Sequence, residues 1–353
     1  MPGYGVSEQN HSLNPVFELI TTHNMLYAKI TGTASYVPDY ILDNEELSRM
    51  VDTSDEWITT RVGIKQRRIL KQNAGSSFLG VEAVKRLLDS TGVAPEQIDL
   101  LICATSNPDY RFPSTASVIC HKLGLDTHGR VYGYDIQAAC AGFIVALNDA
   151  AAYVRSGMYK KVVIVAAEKM SSMVDYTDRA TCPLFGDGAA AVLVEPTDQP
   201  VGVIDSVFRV DGSGLEHLVY RPGGSAMPTT AETVASNLHY LYQEGRAVYK
   251  HAVLDMLSST KEVMQRNNLT VNDIQWFLPH QANLRIIEAV GDRLGIESAK
   301  VLVNIQERGN TSAASIPICL DERKDQLRKG DKMILTAFGA GFTWGALYLI
   351  WDI

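Results

Sequence analysis

The chain has 353 residues, 46% of them hydrophobic and 20% charged, a composition that is typical of a globular protein and excludes a disordered or fibrous one. Its formal net charge of -8 argues against nucleic-acid binding, because neutralising phosphates requires an excess of Lys and Arg. The length exceeds what one ordinary core supports, so we expect two domains or two similar halves.

The cysteines and the N-terminus carry little targeting information. Five cysteines form an odd set without a CxxC pair, so neither a disulfide framework nor a metal site is predicted. No basic start leads into an apolar run, and no segment is apolar for long enough to span a bilayer. We therefore expect a cytoplasmic protein that does not enter a membrane, in which residues 1–24 are an extension without function.

Short apolar runs rich in β-formers alternate with helical patterns along the chain, which predicts an α/β protein with a mainly parallel sheet. The first half is assigned to residues 25–198. It is predicted to have strands at 26–38, 98–106, 131–138, 161–168 and 189–196, and helices at 76–92, 113–124 and 140–156.

The second half, 199–353, repeats this order, which indicates one duplicated unit. Its predicted strands are 201–210, 274–279, 300–305, 332–338 and 345–351, and its predicted helices are 246–267, 282–295 and 311–327. If the halves superpose, Cys140 and Asn310 lie at equivalent strand-to-helix junctions, and His280 lies at the preceding junction. Because α/β sheets bind ligands at the carboxyl ends of their strands, we expect these side chains to meet.

Cys140 lies in DIQAACAGF, directly after a predicted strand and in the first turn of the next helix. Free backbone N–H groups and the helix dipole at such a position stabilise a thiolate, so we expect a lowered pKa and a nucleophilic sulfur. The small residues around it leave room for a thioester. By contrast, Cys103, Cys120 and Cys319 fit the pattern of buried core cysteines.

His280 and Asn310 stand in polar settings next to predicted elements. His280 follows the apolar strand of WFLPHQANLR, and the neighbouring Gln281 and Asn283 are unusual beside a ring that merely fills a core. Asn310 lies in ERGNTSAASIP, where small residues open the next helix. It is either a helix cap or a hydrogen-bond donor to substrate, and the two roles are compatible.

Two glycine-rich segments give weaker signals. AFGAGFTWG, at 337–345, joins two predicted strands, and its small residues allow backbone N–H groups to face a bound oxygen. FGDGAAA, at 185–191, is predicted to be a tight turn between strands. Neither segment has the GxGxxG or GK[ST] spacing, so neither a nicotinamide nor an ATP site is supported.

Taken together, DIQAACAGF, PHQANLRII, GNTSAASIP and GAGFTWG resemble the motifs of β-ketoacyl-acyl carrier protein synthase III of type II fatty acid synthesis, in the same order. VDTSDEWITTRVGI and TDRATCPLFGDGA extend the resemblance, which covers nearly all of the chain from Met25 onward. It implies a thiolase-like fold of two duplicated βαβαβ-type halves in a layered α/β/α/β/α arrangement. It also implies a homodimer and a catalytic triad of Cys140, His280 and Asn310.

The same resemblance implies a coenzyme A site. Trp57 and Arg61 would flank the adenine, Arg179 would lie near the phosphates, and Asn283 would lie along the pantetheine arm. Arg246 would also stand near this arm, at a position where relatives often carry Asn.

Further roles are implied for residues around the acyl group and the carrier protein. The backbone N–H groups of Cys140 and Ala340 would form the oxyanion hole, with Ala340 standing where some relatives have Gly. Phe112 would reach across the dimer to limit the acyl pocket. Arg285 and Lys250 would form part of a basic rim that meets an acidic carrier protein.

We hypothesise a ping-pong reaction in which Cys140 accepts an acyl group from coenzyme A and malonyl-acyl carrier protein then extends it with loss of carbon dioxide. No metal or cofactor is required, since the coenzyme A thioester is a substrate.

Other enzymes of the same fold are alternatives. A thiolase needs a second cysteine near the C-terminal glycine segment, and none follows Cys319. Elongating synthases have two His, whereas this chain has Asn310. A polyketide starter synthase or a hydroxymethylglutaryl synthase stays open, as does the acyl starter, acetyl or another short chain. A non-catalytic partner that binds acyl chains or carrier protein is less favoured, because such proteins typically lose the nucleophile.

Overall fold

The computed structural model describes residues 26–126 and 129–353, so the extension predicted at residues 1–24 lies outside the described residues. The strands are Tyr27–Tyr36 (β1), Ile41–Asp43 (β2), Gln66–Arg68 (β3), Leu100–Ala104 (β4), Tyr132–Ile136 (β5), Val162–Lys169 (β6), Asp187–Thr197 (β7), Gly202–Val210 (β8), Leu218–Val219 (β9), Tyr242–Gln243 (β10), Trp276–Pro279 (β11), Lys332–Gly339 (β12) and Thr343–Ile350 (β13). The α-helices are Asn44–Ser48 (α1), Asp55–Val62 (α2), Ser76–Thr91 (α3), Thr115–Lys122 (α4), Gly142–Arg155 (α5), Ala231–Ala235 (α6), Gly245–Arg266 (α7), Leu284–Leu294 (α8), Ile305–Arg308 (α9) and Ser315–Arg323 (α10). Within residues 26–126 and 129–353, no helix is both long enough and apolar enough to cross a membrane.

Two large sheets carry the fold. The first has the strand order β1-β7-β6-β4-β5, and the second has the order β11-β12-β13-β8. Both sheets are mixed: β4 runs parallel to β5 and β6, and β11 runs parallel to β12, while the other neighbours in the two sheets are antiparallel. The prediction of a mainly parallel sheet is therefore wrong. Only the short segment 340–342 joins β12 to β13, and a connection of that length can link only antiparallel neighbours.

Helices and sheets alternate in five layers, as the clusters of buried apolar side chains show. Helices α5 and α10 lie between the two sheets, and their buried residues form one cluster with strands of both sheets. Helices α3 and α4 cover the outer face of the first sheet, and α7 and α8 cover that of the second. Because both faces of the central strands are covered, successive residues such as Ile164 and Val165 pack into different clusters. Each such side chain contributes about 1.5–3 kcal/mol to the free energy of unfolding when it is fully buried.

The predicted strand at 300–305 is absent. Only Val301 bridges to β11, and Ile305 begins α9. The reason is the buried side chain of Gln281, whose amide donates to the carbonyl of Leu302 at 3.3 Å and accepts from the N–H of Asn304 at 3.0 Å. The carbonyl of Leu302 and the N–H of Asn304 thus form hydrogen bonds with a side chain instead of with a neighbouring strand.

The segment at 185–191 is not the predicted tight turn, because β7 already begins at Asp187. Before it, Phe185 forms an isolated parallel bridge with Asn310. The N–H of Asn310 donates to the carbonyl of Leu184 at 2.8 Å, and the N–H of Gly186 donates to the carbonyl of Asn310 at 3.0 Å. This segment of the first half therefore holds the backbone of Asn310 in the second half.

Candidate active site

One cavity of about 470 Å³ contains all three predicted triad residues. Cys140, His280 and Asn310 line it together with Ala340 and Ser312. Much of the remaining wall is apolar and is formed by Met170, Met173, Leu184, Phe185, Leu215, Leu218, Val219, Leu241, Val248, Ala252, Met256, Ile286 and Phe338. The cavity thus offers a few polar groups in a mainly apolar space, which is typical of ligand sites.

Cys140 lies in a 3-10 turn, Ala139–Ala141, that leads into α5, so it precedes the α-helix that was predicted to include it. Ala139 opens this turn with a φ of 45°. Across the cavity wall, Gly339 packs directly on the turn: a Cβ at residue 339 would lie 2.6 Å from the backbone N of Cys140. Glycine is required for this approach, and the next residue, Ala340, lines the same cavity as Cys140.

The expected lowering of the Cys140 pKa is not observed. Desolvation by burial raises the pKa of this thiol to about 12, and a hydrogen bond with Ser312 opposes the change only in part. The Cys140 Sγ donates to the Ser312 Oγ at 3.8 Å. Loss of hydration therefore favours the protonated form of the thiol, whose proton must leave the sulfur during the reaction.

His280 is an uncharged ring held at the end of β11. Its backbone N–H donates to the carbonyl of Thr336 at 2.8 Å, and the residue is only 2% exposed. Burial lowers the pKa of the imidazole to about 3, and neither ring nitrogen has a hydrogen-bond partner among the described residues. A neutral imidazole with both nitrogens unpaired can donate one hydrogen bond to a ligand in the cavity.

Asn310 has its side chain oriented by the backbone that follows it. The N–H of Ser312 donates to Asn310 Oδ1 at 2.8 Å. With the oxygen occupied in this way, the Nδ2 group is the part of the amide that can donate to a ligand. Asn310 does not cap α10, whose N-cap is Ala314.

A buried polar network below the cavity was missed by the sequence prediction. Ser312 Oγ lies 3.1 Å from Ser106 Oγ, and Ser106 Oγ donates to Glu168 Oε1 at 3.0 Å. Glu168 lies in β6 and is fully buried, and burial raises its pKa to about 7. The available sequence signal was a single carboxylate near the end of the apolar strand KVVIVAAEK.

Four of the five residues predicted to bind coenzyme A form one cluster. The guanidinium of Arg179 lies 4.8 Å from the centre of the Trp57 ring, and that of Arg61 lies 5.9 Å from it. Asn283 caps α8 and donates from its Nδ2 to the carbonyl of Arg61 at 3.5 Å. Arg179 also pairs with the exposed Asp52 at 3.2 Å.

The other predicted residues lie on the surface, away from the cavity wall that the described residues form. Arg246 and Lys250 are exposed one turn apart on α7, and Arg285 is exposed at the start of α8, 5.8 Å from the ring of Tyr249. Phe112 is 86% exposed and does not line the cavity of its own chain.

Comparisons with known proteins identify relatives of the whole described chain. Two family models match, 3-oxoacyl-[acyl-carrier-protein (ACP)] synthase III over residues 134–212 and its C-terminal part over residues 264–351. The chain is 55% identical to β-ketoacyl-[acyl-carrier-protein] synthase III 2 of Bacteroides thetaiotaomicron over 325 residues, which is 92% of this chain and 96% of that protein.

Solved structures agree with these sequence matches. The crystal structure of 3-oxoacyl-[acyl-carrier-protein] synthase III from Aquifex aeolicus is 41% identical with a TM-score of 0.84, over 92% of this chain and all of the other. The priming β-ketosynthase of the R1128 polyketide pathway is 36% identical with a TM-score of 0.85, over 92% of this chain and 96% of the other. The predicted thiolase-like α/β fold is thereby confirmed.

The depressed pKa of His280 predicts a pH dependence of stability. In the unfolded chain the His280 ring takes up a proton near pH 6.5, whereas in the folded chain it does so only near pH 3. The contribution of the neutral ring to the free energy of unfolding is therefore complete above pH 6.5 and is lost as the pH falls. Between pH 7.5 and pH 5 we expect the wild-type free energy of unfolding, measured by urea denaturation, to fall by about 2 kcal/mol more than that of His280→Gln. Parallel pH curves for the two proteins, or an NMR titration of the folded ring near pH 6, would contradict this assignment.

Proposed function

The chain belongs to the β-ketoacyl-acyl carrier protein synthase III family, and on that premise we propose that Cys140, His280 and Asn310 are its catalytic residues. As a member of this family it is an acyltransferase that initiates fatty acid synthesis by condensing an acyl-coenzyme A with malonyl-acyl carrier protein. One observation carries the residue assignment: a thiol, an uncharged imidazole and an amide whose Oδ1 accepts from a backbone N–H line the same cavity.

In the first half-reaction, Cys140 attacks the acyl thioester and coenzyme A leaves with the thiol proton. The N–H groups of Cys140 and Ala340 form the oxyanion hole, a role that the close packing of Gly339 on the Cys140 turn supports. Donors of this kind contribute about 3 kcal/mol each to the stability of the tetrahedral intermediate.

In the second half-reaction, His280 and Asn310 donate hydrogen bonds to the thioester oxygen of the malonyl group. Loss of carbon dioxide leaves an enolate on that oxygen, and the two donors stabilise its charge. The enolate carbon attacks the acyl carbonyl, and Cys140 departs as a thiolate. An uncharged His280 suits this role because it donates a hydrogen bond without giving up a proton.

Coenzyme A binds across Trp57, Arg61 and Arg179, with Asn283 and Arg246 nearer to the pantetheine arm. The clustering of two guanidinium groups around an indole supports adenine stacking with phosphates nearby. The support is weaker for Arg246, which lies on the α7 surface.

Acylation of Cys140 is tested by intact mass after incubation with a panel of acyl-coenzyme A thioesters. We expect a gain of one acyl group in the wild type and in Cys120→Ala, and none in Cys140→Ala, because the Cys140 thiol is the one that faces the cavity. The thioester that reacts fastest identifies the starter. Acylation of Cys140→Ala would show that another group is the nucleophile.

The enzyme is a homodimer in which Phe112 reaches towards the partner's acyl pocket. Two large rings of one surface loop support this interface, since Phe112 is 86% and Tyr110 is 61% exposed. Clustered exposed apolar side chains of this size mark protein interfaces. Each chain comprises two duplicated halves, 25–198 and 199–353, a division that is supported by one large sheet in each.

Replacing Phe112 by Asp is expected to weaken the dimer, because a charge would replace an aromatic anchor. A loss of about 2 kcal/mol corresponds to an approximately 30-fold higher dissociation constant in analytical ultracentrifugation. Met158→Asp changes another apolar side chain, 64% exposed, outside the proposed interface and should leave the dimer intact. Equal dissociation constants for wild type and Phe112→Asp would exclude this interface.

The carrier protein docks on the basic surface formed by Arg285 and Lys250. These side chains lie at the starts of two adjacent helices, and Tyr249 contacts Arg285 between them. Exposed basic groups of this kind attract an acidic partner mainly through long-range charge, so the contact is sensitive to salt.

Arg285→Glu should raise the KM for malonyl-acyl carrier protein about tenfold at low salt, since it reverses a charge that faces an acidic partner. Acylation of Cys140 by acyl-coenzyme A should be unaffected, and the difference from wild type should shrink as salt is added. The control is Arg293→Glu, which makes the same change at the far end of α8. Equal effects of the two substitutions would contradict a local docking site.

A further inference from the structure

Glu168 is a fully buried carboxylate for which the mechanism above has no use. It accepts hydrogen bonds from the backbone N–H of Ser106 at 2.9 Å, of Asn107 at 3.2 Å and of Ala313 at 3.4 Å. Thr105 Oγ1 donates to it as well, at 3.2 Å. The carboxylate therefore ties the end of β4 in the first half to the turn before α10 in the second.

A continuous path of hydroxyl groups joins this carboxylate to the proposed nucleophile. Cys140 Sγ donates to Ser312 Oγ at 3.8 Å, Ser312 Oγ lies 3.1 Å from Ser106 Oγ, and Ser106 Oγ donates to Glu168 Oε1 at 3.0 Å. Hydroxyl groups both donate and accept, so each can pass a proton along such a path.

We propose that Glu168 accepts the proton of the Cys140 thiol through the hydroxyls of Ser312 and Ser106 while the acyl group is transferred. The inference rests on the proposed role of Cys140 as the nucleophile. Glu168 touches no substrate and acts only through the two serines, so it is a positioning and proton-holding residue.

The proton balance closes within the first half-reaction. As the Cys140 sulfur bonds to the acyl carbon, its proton moves to Ser312, the Ser312 proton moves to Ser106, and the Ser106 proton moves to Glu168. When the tetrahedral intermediate collapses, the bond to the coenzyme A sulfur breaks and that sulfur leaves as a thiolate. The proton then moves back from Glu168 through Ser106 to Ser312, and Ser312 passes it to the departing coenzyme A sulfur instead of the acylated Cys140. Coenzyme A is released as a thiol, and Glu168 is ionised again.

The surroundings of Glu168 suit this role better than those of His280. Burial raises the pKa of Glu168 to about 7 and lowers that of His280 to about 3, so the carboxylate is the stronger base. Glu168 acts on two titratable thiols, those of Cys103 and Cys140, whose pKa is raised mainly by burial and in addition by the charge of this carboxylate. The adjacent Lys169 ammonium instead donates to the backbone carbonyl of Ala74 at 2.7 Å.

The test is the single-turnover rate of Cys140 acylation by a reactive acyl-coenzyme A, followed by rapid-quench mass spectrometry between pH 5.5 and 9. In the wild type we expect the rate constant to rise through an inflection near pH 7, where Glu168 ionises. Glu168→Gln and Ser312→Ala should lower it about 100-fold at neutral pH and remove the inflection, as expected when a general base is lost. The acyl-coenzyme A concentration at half-maximal rate should not change.

Asp187→Asn is the matched control. Asp187 is also a fully buried carboxylate with a raised pKa, and it accepts from the N–H groups of Leu70 and Ser171. Among the described residues, no hydrogen bond connects it to Cys140. Its acylation rate should stay within about threefold of wild type. A Glu168→Gln enzyme with the wild-type rate and inflection would overturn the proposal, and so would an equal loss in Asp187→Asn.

Two further outcomes are also decisive. If Glu168→Gln does not fold, Ser312→Ala decides, because an unchanged rate in that variant excludes the path. If the wild type forms no acyl adduct, the proposed function fails. The path is then tested by the pH dependence of iodoacetamide alkylation of Cys140. We expect Glu168→Gln and Ser312→Ala to lose the inflection again. A wild-type pH profile in both variants would overturn the proposed proton path.

Discussion

Helices α5 and α10 pack between two sheets, and in the site beside them Glu168 and His280 are buried while Cys140 is half-buried. This desolvation acts on each titratable group of the site in the direction that favours its uncharged form. It raises the pKa of Cys140 and Glu168 and lowers that of His280. The thiol and the imidazole are therefore favoured in their uncharged forms, so charge develops on the substrate as the reaction proceeds, in surroundings where fixed hydrogen-bond donors act most strongly.

The two halves of the chain hold each other's functional groups. Asn310, from the second half, is fixed by backbone bonds to the segment around Phe185 in the first. Cys140, from the first half, is packed against Gly339 and bonded to Ser312, both from the second. Neither half can form the site alone, so the packing of the two sheets also sets the geometry of the chemistry.

The sequence predicted the convergence of Cys140, His280 and Asn310, and for Cys140 and His280 the reason holds, because they follow β5 and β11. Asn310 instead follows the helix α9 and is positioned by its backbone bonds to Leu184 and Gly186. The sequence could not predict that residues 300–305 form no strand, since the pattern of KVLVNI fits one. Only the three-dimensional position of Gln281 shows that its side chain binds the carbonyl of Leu302 and the N–H of Asn304 in place of a neighbouring strand. The sequence also predicted the wrong direction for the Cys140 pKa. The helix end is visible in the sequence, whereas the loss of water depends on β12 and its neighbours, which follow about 190 residues later.

Acidity does not distinguish the nucleophile from the other cysteines. Burial raises the pKa of all five thiols, and that of Cys182, at about 11, lies below that of Cys140, at about 12. What separates Cys140 is access, since it alone among the cysteines lines the cavity in the described chain, and its sulfur contacts a hydroxyl that leads to a carboxylate. Selectivity for one thiol therefore comes from the access of the acyl group to the sulfur and from the hydroxyl groups through which its proton can leave.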